Sequence, residues 1–321
     1  MKKRIIVGLL VCLVVATMLV ACSRAADDSS SSSAVASVSS ESQVEDAKAK
    51  FGLPTEPYYV LIIGNDSRNN TIEAKDEDDP GRADTTMLAR IDPTTYQISL
   101  LTIPRDTPIT EDGETWKINK EYKWYGAEGY MDTIERFTGI KPKYYIDLGM
   151  AEYVDFFNEI GGVDINVPAD IGFKDIMTGD YIDLAAGDQH LNGNQALVLS
   201  RVRKAFYWGD PIRQYSSRHI IENVITKDAN DPELAASDLD ILLKHADTNW
   251  PKEELALQIA DFCAHADQIS FFEGNGPYDG AQREELNDWF CYEDPETWQA
   301  ILKVFKEGGD PTTVFPLPPL E

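Results

Sequence analysis

Apolar positions along this chain fall into short continuous runs and helical stripes, separated by turns rich in Gly, Asn and Pro. Tyr58–Ile63 reads YYVLII and is closed by Gly64, Asn65 and Asp66, the pattern of a buried strand entering a turn. Thr86–Ile91 and Gln97–Ile103 are strand-like runs joined by a Pro-Thr-Thr turn, which predicts a hairpin. Met131–Phe137 predicts a helix stopped by Gly139, and Tyr144–Leu148 predicts a strand. Ala151–Ile160 carries Tyr153, Val154, Phe156, Phe157 and Ile160 at helical spacing, with Gly161-Gly162 closing it. Val163–Val167 predicts a strand ending at Pro168. Strand, helix and strand in this order predict a βαβ unit, and with it an α/β sheet with helices on its faces.

Further on, a turn rich in Gly and Asn from Gly187 to Asn194 feeds a helix with an apolar stripe, and Gln214–Lys227 reads as a second helix. Glu253–Ala264 and Pro295–Lys306 also read as helical, packed on the main domain. Phe271–Trp289 reads as an aromatic loop. The tail, residues 310–321, contains Pro316, Pro318 and Pro319 and is expected to be disordered.

The N-terminus changes the picture of where this domain works. Met1-Lys2-Lys3-Arg4 is a positive segment, and Ile5 to Val20 is almost unbroken apolar sequence. Leu19-Val20-Ala21-Cys22 then has the form of a lipobox, which would make Cys22 a lipidated first residue. An uncleaved signal anchor is the alternative, since the run approaches spanning length. Both readings of residues 1–22 put the domain outside the cytoplasmic membrane. Residues 23–50, rich in Ser, Ala and acidic side chains, read as a disordered linker. The folded domain is expected over residues 51–309.

The formal net charge of −26 argues against nucleic acid as a partner, because backbone binding needs clustered Lys and Arg. Cys263 and Cys291 lie outside the leader, and outside the cell a disulfide between them is open. No CxxC motif occurs and the histidines are scattered, which argues against zinc-ligand spacing. No Gly-x-Ser-x-Gly elbow is present either.

Candidate chemistry gathers at the ends of the hairpin. Asp84 stands just before its first run, and Arg105 and Asp106 stand just after its second, behind Pro104. Antiparallel pairing brings those ends to one edge of the sheet. Asp66 stands at a strand end as well. A carboxylate beside a guanidinium suits an anionic ligand held by Arg together with a divalent cation held by Asp. A surface salt bridge closing a turn is the plain alternative. Arg201, Arg203, Arg213 and Arg218 then cluster in an otherwise acidic chain, which points to an anionic ligand or internal carboxylates.

These residues fall into an ordered series. It runs from Leu61-Ile62-Ile63-Gly64-Asn65-Asp66-Ser67-Arg68 through Arg82-Ala83-Asp84-Thr85 to Ile103-Pro104-Arg105-Asp106-Thr107. Ile160-Gly161-Gly162-Val163 and Ser200-Arg201-Val202-Arg203 continue it. The series resembles the LytR-CpsA-Psr family of bacterial cell-envelope proteins from about Tyr58 to Arg218. The resemblance implies an α/β/α sandwich around a mixed sheet. It implies a phosphotransferase that moves an anionic glycopolymer, of teichoic acid or capsule type, from polyprenyl pyrophosphate to peptidoglycan, with Mg²⁺ and an apolar pocket for the lipid. By position it makes Asp66 and Asp84 metal-associated or acid–base carboxylates. It makes Arg82, Arg105, Arg201, Arg203, Arg213 and Arg218 the pyrophosphate-binding set, with Arg105, Arg201 and Arg203 also catalytic. One departure stands out: Ser216-Ser217 occupies the register where the family often carries an Arg-Gln or Asn-Gln pair. The rival functions are a pyrophosphatase that releases the glycan to water, and a non-catalytic lipoprotein that binds polyprenyl lipid or wall polymer.

Overall fold

A computed structural model describes residues 53–74, 79–206, 209–278, 280–283, 288–291 and 294–320. The expected leader with Cys22, and the linker over residues 23–50, lie outside the described residues. Among the described residues no helix is long and apolar enough to cross a membrane.

The chain builds β1 (Tyr58–Asn65), β2 (Ala83–Asp92), β3 (Gln97–Thr102), a small hairpin β4 (Pro108–Glu111) and β5 (Glu114–Lys117), then α1 (Asn119–Thr138). Next come β6 (Tyr144–Leu148), α2 (Met150–Glu159), β7 (Val163–Val167), β8 (Ile171–Lys174), β9 (Tyr181–Leu184), β10 (Gly187–Leu191) and α3 (Gly193–Arg201). Helices α4 (Asp210–Ala229), α5 (Pro232–His245) and α6 (Lys252–Ala264) follow, with the short β11 (Asp247–Thr248) before α6. The chain ends with β12 (Ser270–Asn275), β13 (Gly280–Arg283), β14 (Asp288–Cys291) and α7 (Pro295–Lys306).

Six strands form the central sheet in the order β11-β6-β1-β2-β3-β12. β1, β2 and β3 pair antiparallel, whereas β6 joins β1 and β12 joins β3 in parallel. The sheet is therefore mixed, as the family likeness implies. Its pleat sends alternate residues to opposite faces. Leu61, Ile63, Leu88 and Leu101 pack against Tyr130 and Ile134 of α1 and Ile301 and Phe305 of α7. Val60, Ala89, Ile98 and Leu100 look the other way, toward Leu239 of α5 and Leu255 and Phe262 of α6. Helices thus cover both faces, an α/β/α sandwich.

Several elements differ from the sequence reading. β7 does not join the sheet that holds β6. Among the described residues it pairs only with β10, so the strand–helix–strand order is not a βαβ unit. The alternation of Val163, Ile165 and Val167, inward between exposed Asp164 and Asn166, marks a strand with one wet face. α1 begins at Asn119, well before Met131. Gly126 breaks it at φ 67°, and that interruption hid its first half in the pattern. The expected loop after Phe271 begins instead with sheet-edge strand β12. The tail is not disordered over its described part. Pro311–Thr313 forms a 3₁₀ turn with Pro311 buried, and Val314 and Phe315 pack on the core. Cys263 and Cys291 are both free thiols, so the disulfide is not formed. Burial, with Asp228 nearby, pushes the Cys263 thiol up to about 11, and burial, with Asp106 nearby, takes Cys291 to about 12.

Candidate active site

The site starts from an irregularity in the β1–β2 ladder. Gly64 pairs with Thr85 and Asn65 pairs with Ala83, which leaves Asp84 as the extra residue of a bulge. A bulge takes one residue out of the ladder and re-aims its side chain. Here it turns Asp84 toward Arg105, which Pro104 has released from β3. Arg105 Nη1 lies 2.7 Å from both carboxylate oxygens. Burial works against the Arg105 charge, but Asp84, Asp106 and Asp210 outweigh it and hold its pKa up. Asp106 faces Lys117 at 3.1 Å as well as Arg105, so it steadies the loop.

Asp66, just past the end of β1, is fixed by Arg82. The Arg82 amide donates to its Oδ1 at 2.7 Å and the Arg82 guanidinium to its Oδ2 at 2.9 Å. Gly81 makes this closure possible: at φ 75°, a Cβ there would sit 2.3 Å from the Ser67 nitrogen.

The remaining arginines come from α3 and α4. Asn192 opens α3 with a capping box completed by Gln195, which fixes where its last residue, Arg201, emerges. Arg213, in the first turn of α4, is nearly buried and reaches back to the bulge. Its Nη2 donates to the Asp84 carbonyl and its Nη1 to Thr85 Oγ1, each at 3.0 Å, while Nε pairs with Asp210 at 2.8 Å. Burial opposes the Asp210 charge, yet Arg213, Arg105 and Arg203 hold its carboxyl below the usual range.

Arg201 and Arg203 are different. Among the described residues, neither has a carboxylate within ion-pair distance. Burial, then the charge of Arg68, lowers the Arg201 pKa; burial, then Arg105 and Arg213, lowers that of Arg203. For these two half-buried cations, burial and like charge outweigh the pull of the nearby carboxylates Asp84, Asp175 and Asp210, which leaves the pair under-compensated.

Arg218 stands apart from this cluster. It is fully buried, with Nε on Glu273 at 2.9 Å and Nη1 on Thr102 at 2.8 Å, so it ties α4 to β3 and β12. That placement takes Arg218 out of the arginine rim in which the resemblance set it. Ser216 and Ser217 return their hydroxyls to the Ile212 and Arg213 carbonyls, and Gln214 donates to Asp210. The serines therefore offer nothing to a phosphate.

Behind the arginines, between the sheet and α2–α6, lies an apolar cavity of about 360 Å³. Its lining runs along β1 from Tyr58 to Gly64, roughly 20 Å at about 3.3 Å per residue. Arg201, Arg213 and Thr85 line it at the Gly64 end, and Asp228, Asp238 and Gln258 are polar exceptions in its wall.

Sequence reasoning missed three supports. Asp147 on β6 accepts from Tyr122 at 2.5 Å and from Asn65 at 2.9 Å, which anchors the end of β1. Burial pushes its carboxyl up to about 6, against the hydrogen bonds of Tyr122 and Asn65. Asp210 and Thr85 hold Arg213. The i, i+3 spacing of Asp210 and Arg213 was the signal available for that pair.

The fold and site together define an α/β/α sandwich enclosing an apolar cavity rimmed by arginines. The LytR_cpsA_psr family model matches residues 20–296, and the chain belongs to that family. Its relatives include the polyisoprenyl-teichoic acid–peptidoglycan teichoic acid transferase TagU of Bacillus mycoides, 32% identical over 216 residues, 66% of each chain. The chain thus spans just under two thirds of that relative. Among solved structures, B. subtilis TagV superposes with a TM-score of 0.67 at 22% identity, covering 80% of this chain and 98% of its own. Protein gbs0355 from Streptococcus agalactiae gives 0.66 at 21% identity, covering 83% and 89%. Both likenesses speak for the fold.

Proposed function

We propose that this protein is a phosphotransferase that moves an anionic glycopolymer from polyprenyl pyrophosphate to peptidoglycan, on the outer face of the bacterial cytoplasmic membrane. The observation that carries the reading is the under-compensated charge of Arg201 and Arg203, of which Arg201 lines an apolar cavity of lipid-tail proportions. An amphiphile with a pyrophosphate head answers both features at once. The names of the TagU relatives support the choice of polymer and acceptor.

The polyprenyl tail fills the cavity along β1, and the pyrophosphate lies at its Gly64 end among Arg105, Arg201, Arg203 and Arg213. An acceptor hydroxyl oxygen attacks the phosphorus next to the glycan, the bridging P–O bond breaks, and polyprenyl phosphate leaves with the electron pair. The arginines stabilise charge that grows on the leaving phosphate, where fixed donors do most for the rate. The hydroxyl proton passes to a nearby carboxylate, and Asp84 is the more open of the two. Carboxylate oxygens on adjacent loop and strand ends suit Mg²⁺, which takes one or two carboxylates and completes its shell with phosphate and water. Asp66 and Asp84 would hold it while sharing their arginines, and when bound it neutralises phosphate charge.

The test uses the full chain in detergent with polyprenyl-pyrophosphate-linked oligosaccharide, peptidoglycan fragments and Mg²⁺, followed by mass spectrometry. Glycan joined to peptidoglycan through a phosphodiester, and lost in Asp84→Asn, is the expected result. Free glycan phosphate alone marks a hydrolase. Intact lipid that binds without turnover marks a binding protein, and either outcome overturns the proposal.

A further inference from the structure

A second set of ligating side chains lies between α4 and the sheet edge, away from the arginine rim. His219 and Glu222 share one face of α4, and Glu273 of β12 faces them. One ligand atom from each lies within 4.8 Å of the other two, and all three residues are partly buried.

The imidazole is boxed in by acceptors. Nδ1 lies 3.1 Å from the Tyr215 carbonyl oxygen, and Nε2 lies 3.3 Å from Glu273 Oε1. A neutral ring has one N–H, so it serves one of these oxygens and turns a lone pair on the other. Something positive belongs between Nε2 and Glu273, either a proton or a cation. A proton satisfies Glu273 alone. Glu222 Oε1 is buried without a hydrogen-bond partner. A divalent cation satisfies all three groups together.

The surroundings orient these atoms as the outer partners of metal ligands do. Arg218 holds Glu273 Oε2 at 2.9 Å and leaves Oε1 for the site. The Tyr215 carbonyl holds Nδ1, and the Tyr215 ring centre lies 3.8 Å from that of His219.

We propose that His219, Glu222 and Glu273 form a divalent-metal site that clips α4 to edge strand β12. One imidazole nitrogen and two carboxylate oxygens suit Zn²⁺, with water as a fourth ligand. Bonds of about 2.0–2.2 Å put tetrahedral ligand atoms about 3.5 Å apart, so the side chains close by roughly 1 Å around the ion. The clip is structural. It braces the helix that carries Arg213, whose Cα lies about 9 Å along the axis from that of His219.

The experiment takes the full chain in detergent, strips it with a chelator, and titrates Zn²⁺ calorimetrically with Mg²⁺ in excess to occupy all-oxygen sites. Thermal unfolding follows with and without Zn²⁺. One Zn²⁺ per chain is expected, with affinity reduced at least about tenfold in Glu222→Gln and in His219→Asn. Zn²⁺ raises the wild-type Tm and leaves both variants unmoved. Glu222→Gln keeps shape, so it carries the test if His219→Asn does not fold. Absence of saturable binding, or binding and Tm responses equal in wild type and variants, overturns the site and leaves a proton between His219 and Glu273.

Discussion

Replacing Arg203 by Gln pulls stability and turnover in opposite directions. In the free protein this guanidinium feels burial first and then Arg105 and Arg213, which together outweigh the opposing pull of Asp210 and Asp84. Removing its charge relieves that strain. Arg203 is only half-buried, so solvent screening holds the gain to a few tenths of a kcal/mol. For a domain of this size that is a Tm rise of at most about 1–2 °C. The bound pyrophosphate loses more. A hydrogen bond to a charged group is worth about 1.5–3 kcal/mol. At about 1.36 kcal/mol per decade, kcat/KM falls by about 10- to 150-fold. Scanning fluorimetry and the glycan-transfer assay on one preparation read both quantities. Arg105→Gln is the contrast, because it strands Asp84 and lowers stability and turnover together. A drop of about 5 °C or more in Arg203→Gln, or turnover equal to wild type, refutes the argument that Arg203 waits for an anion.

Three further outcomes are expected. Ala235 lines the cavity and is buried, so Ala235→Phe narrows it; Tm holds within a few degrees while KM rises more for long polyprenyl donors than for short ones, and equal KM changes count against tail burial. Arg218→Ala leaves Glu273 without its buried partner and costs about 3 kcal/mol or more in urea unfolding; a loss below about 0.5 kcal/mol shows that the pair is dispensable. Burial, with Asp238 alongside, pushes the Asp228 carboxyl up to about 7, so the unfolded chain releases this proton first. Stability from this group therefore falls as pH rises from about 4 to about 7, and Asp228→Asn is more stable than wild type at pH 8 by about 1–2 kcal/mol after allowance for solvent screening. Unfolding curves at pH 5 and pH 8 check the difference, and a pH-independent gap between the two proteins sinks the assignment.

Pattern was most informative where a residue's neighbours in sequence are also its neighbours in space. The YYVLII run, the Pro-Thr-Thr hairpin and Pro295–Lys306 emerge as β1, the β2–β3 pair and α7 because alternation or helical spacing directly reports burial. Partners distant in the chain were invisible. Nothing near Val163 says that it pairs with β10 rather than joining β6, and nothing near Phe271 says that it lies beside β3. At the site, the strand-end positions of Asp84 and Arg105 predicted their meeting. The bulge that aims Asp84 is a register event, set by the pairing of two strands, and no single segment carries it. Arg218 was misplaced for a related reason: its fate depends on Glu273 and Thr102, both supplied by strands far from α4.

The pairing of β12 with β3 also governs how the molecule comes into being. A chain made from its N-terminus completes β1, β2, β3 and β6 well before β12 exists. In that interval β3 presents an open row of amide and carbonyl groups to any passing strand, the usual seed of aggregation. β12 then covers β3, and Pro311 seats against Gly274, where a Cβ would come within 2.7 Å of its ring. Truncation anywhere beyond α6 and before β12 thus yields a chain prone to stick to its own copies, whatever the state of its arginines.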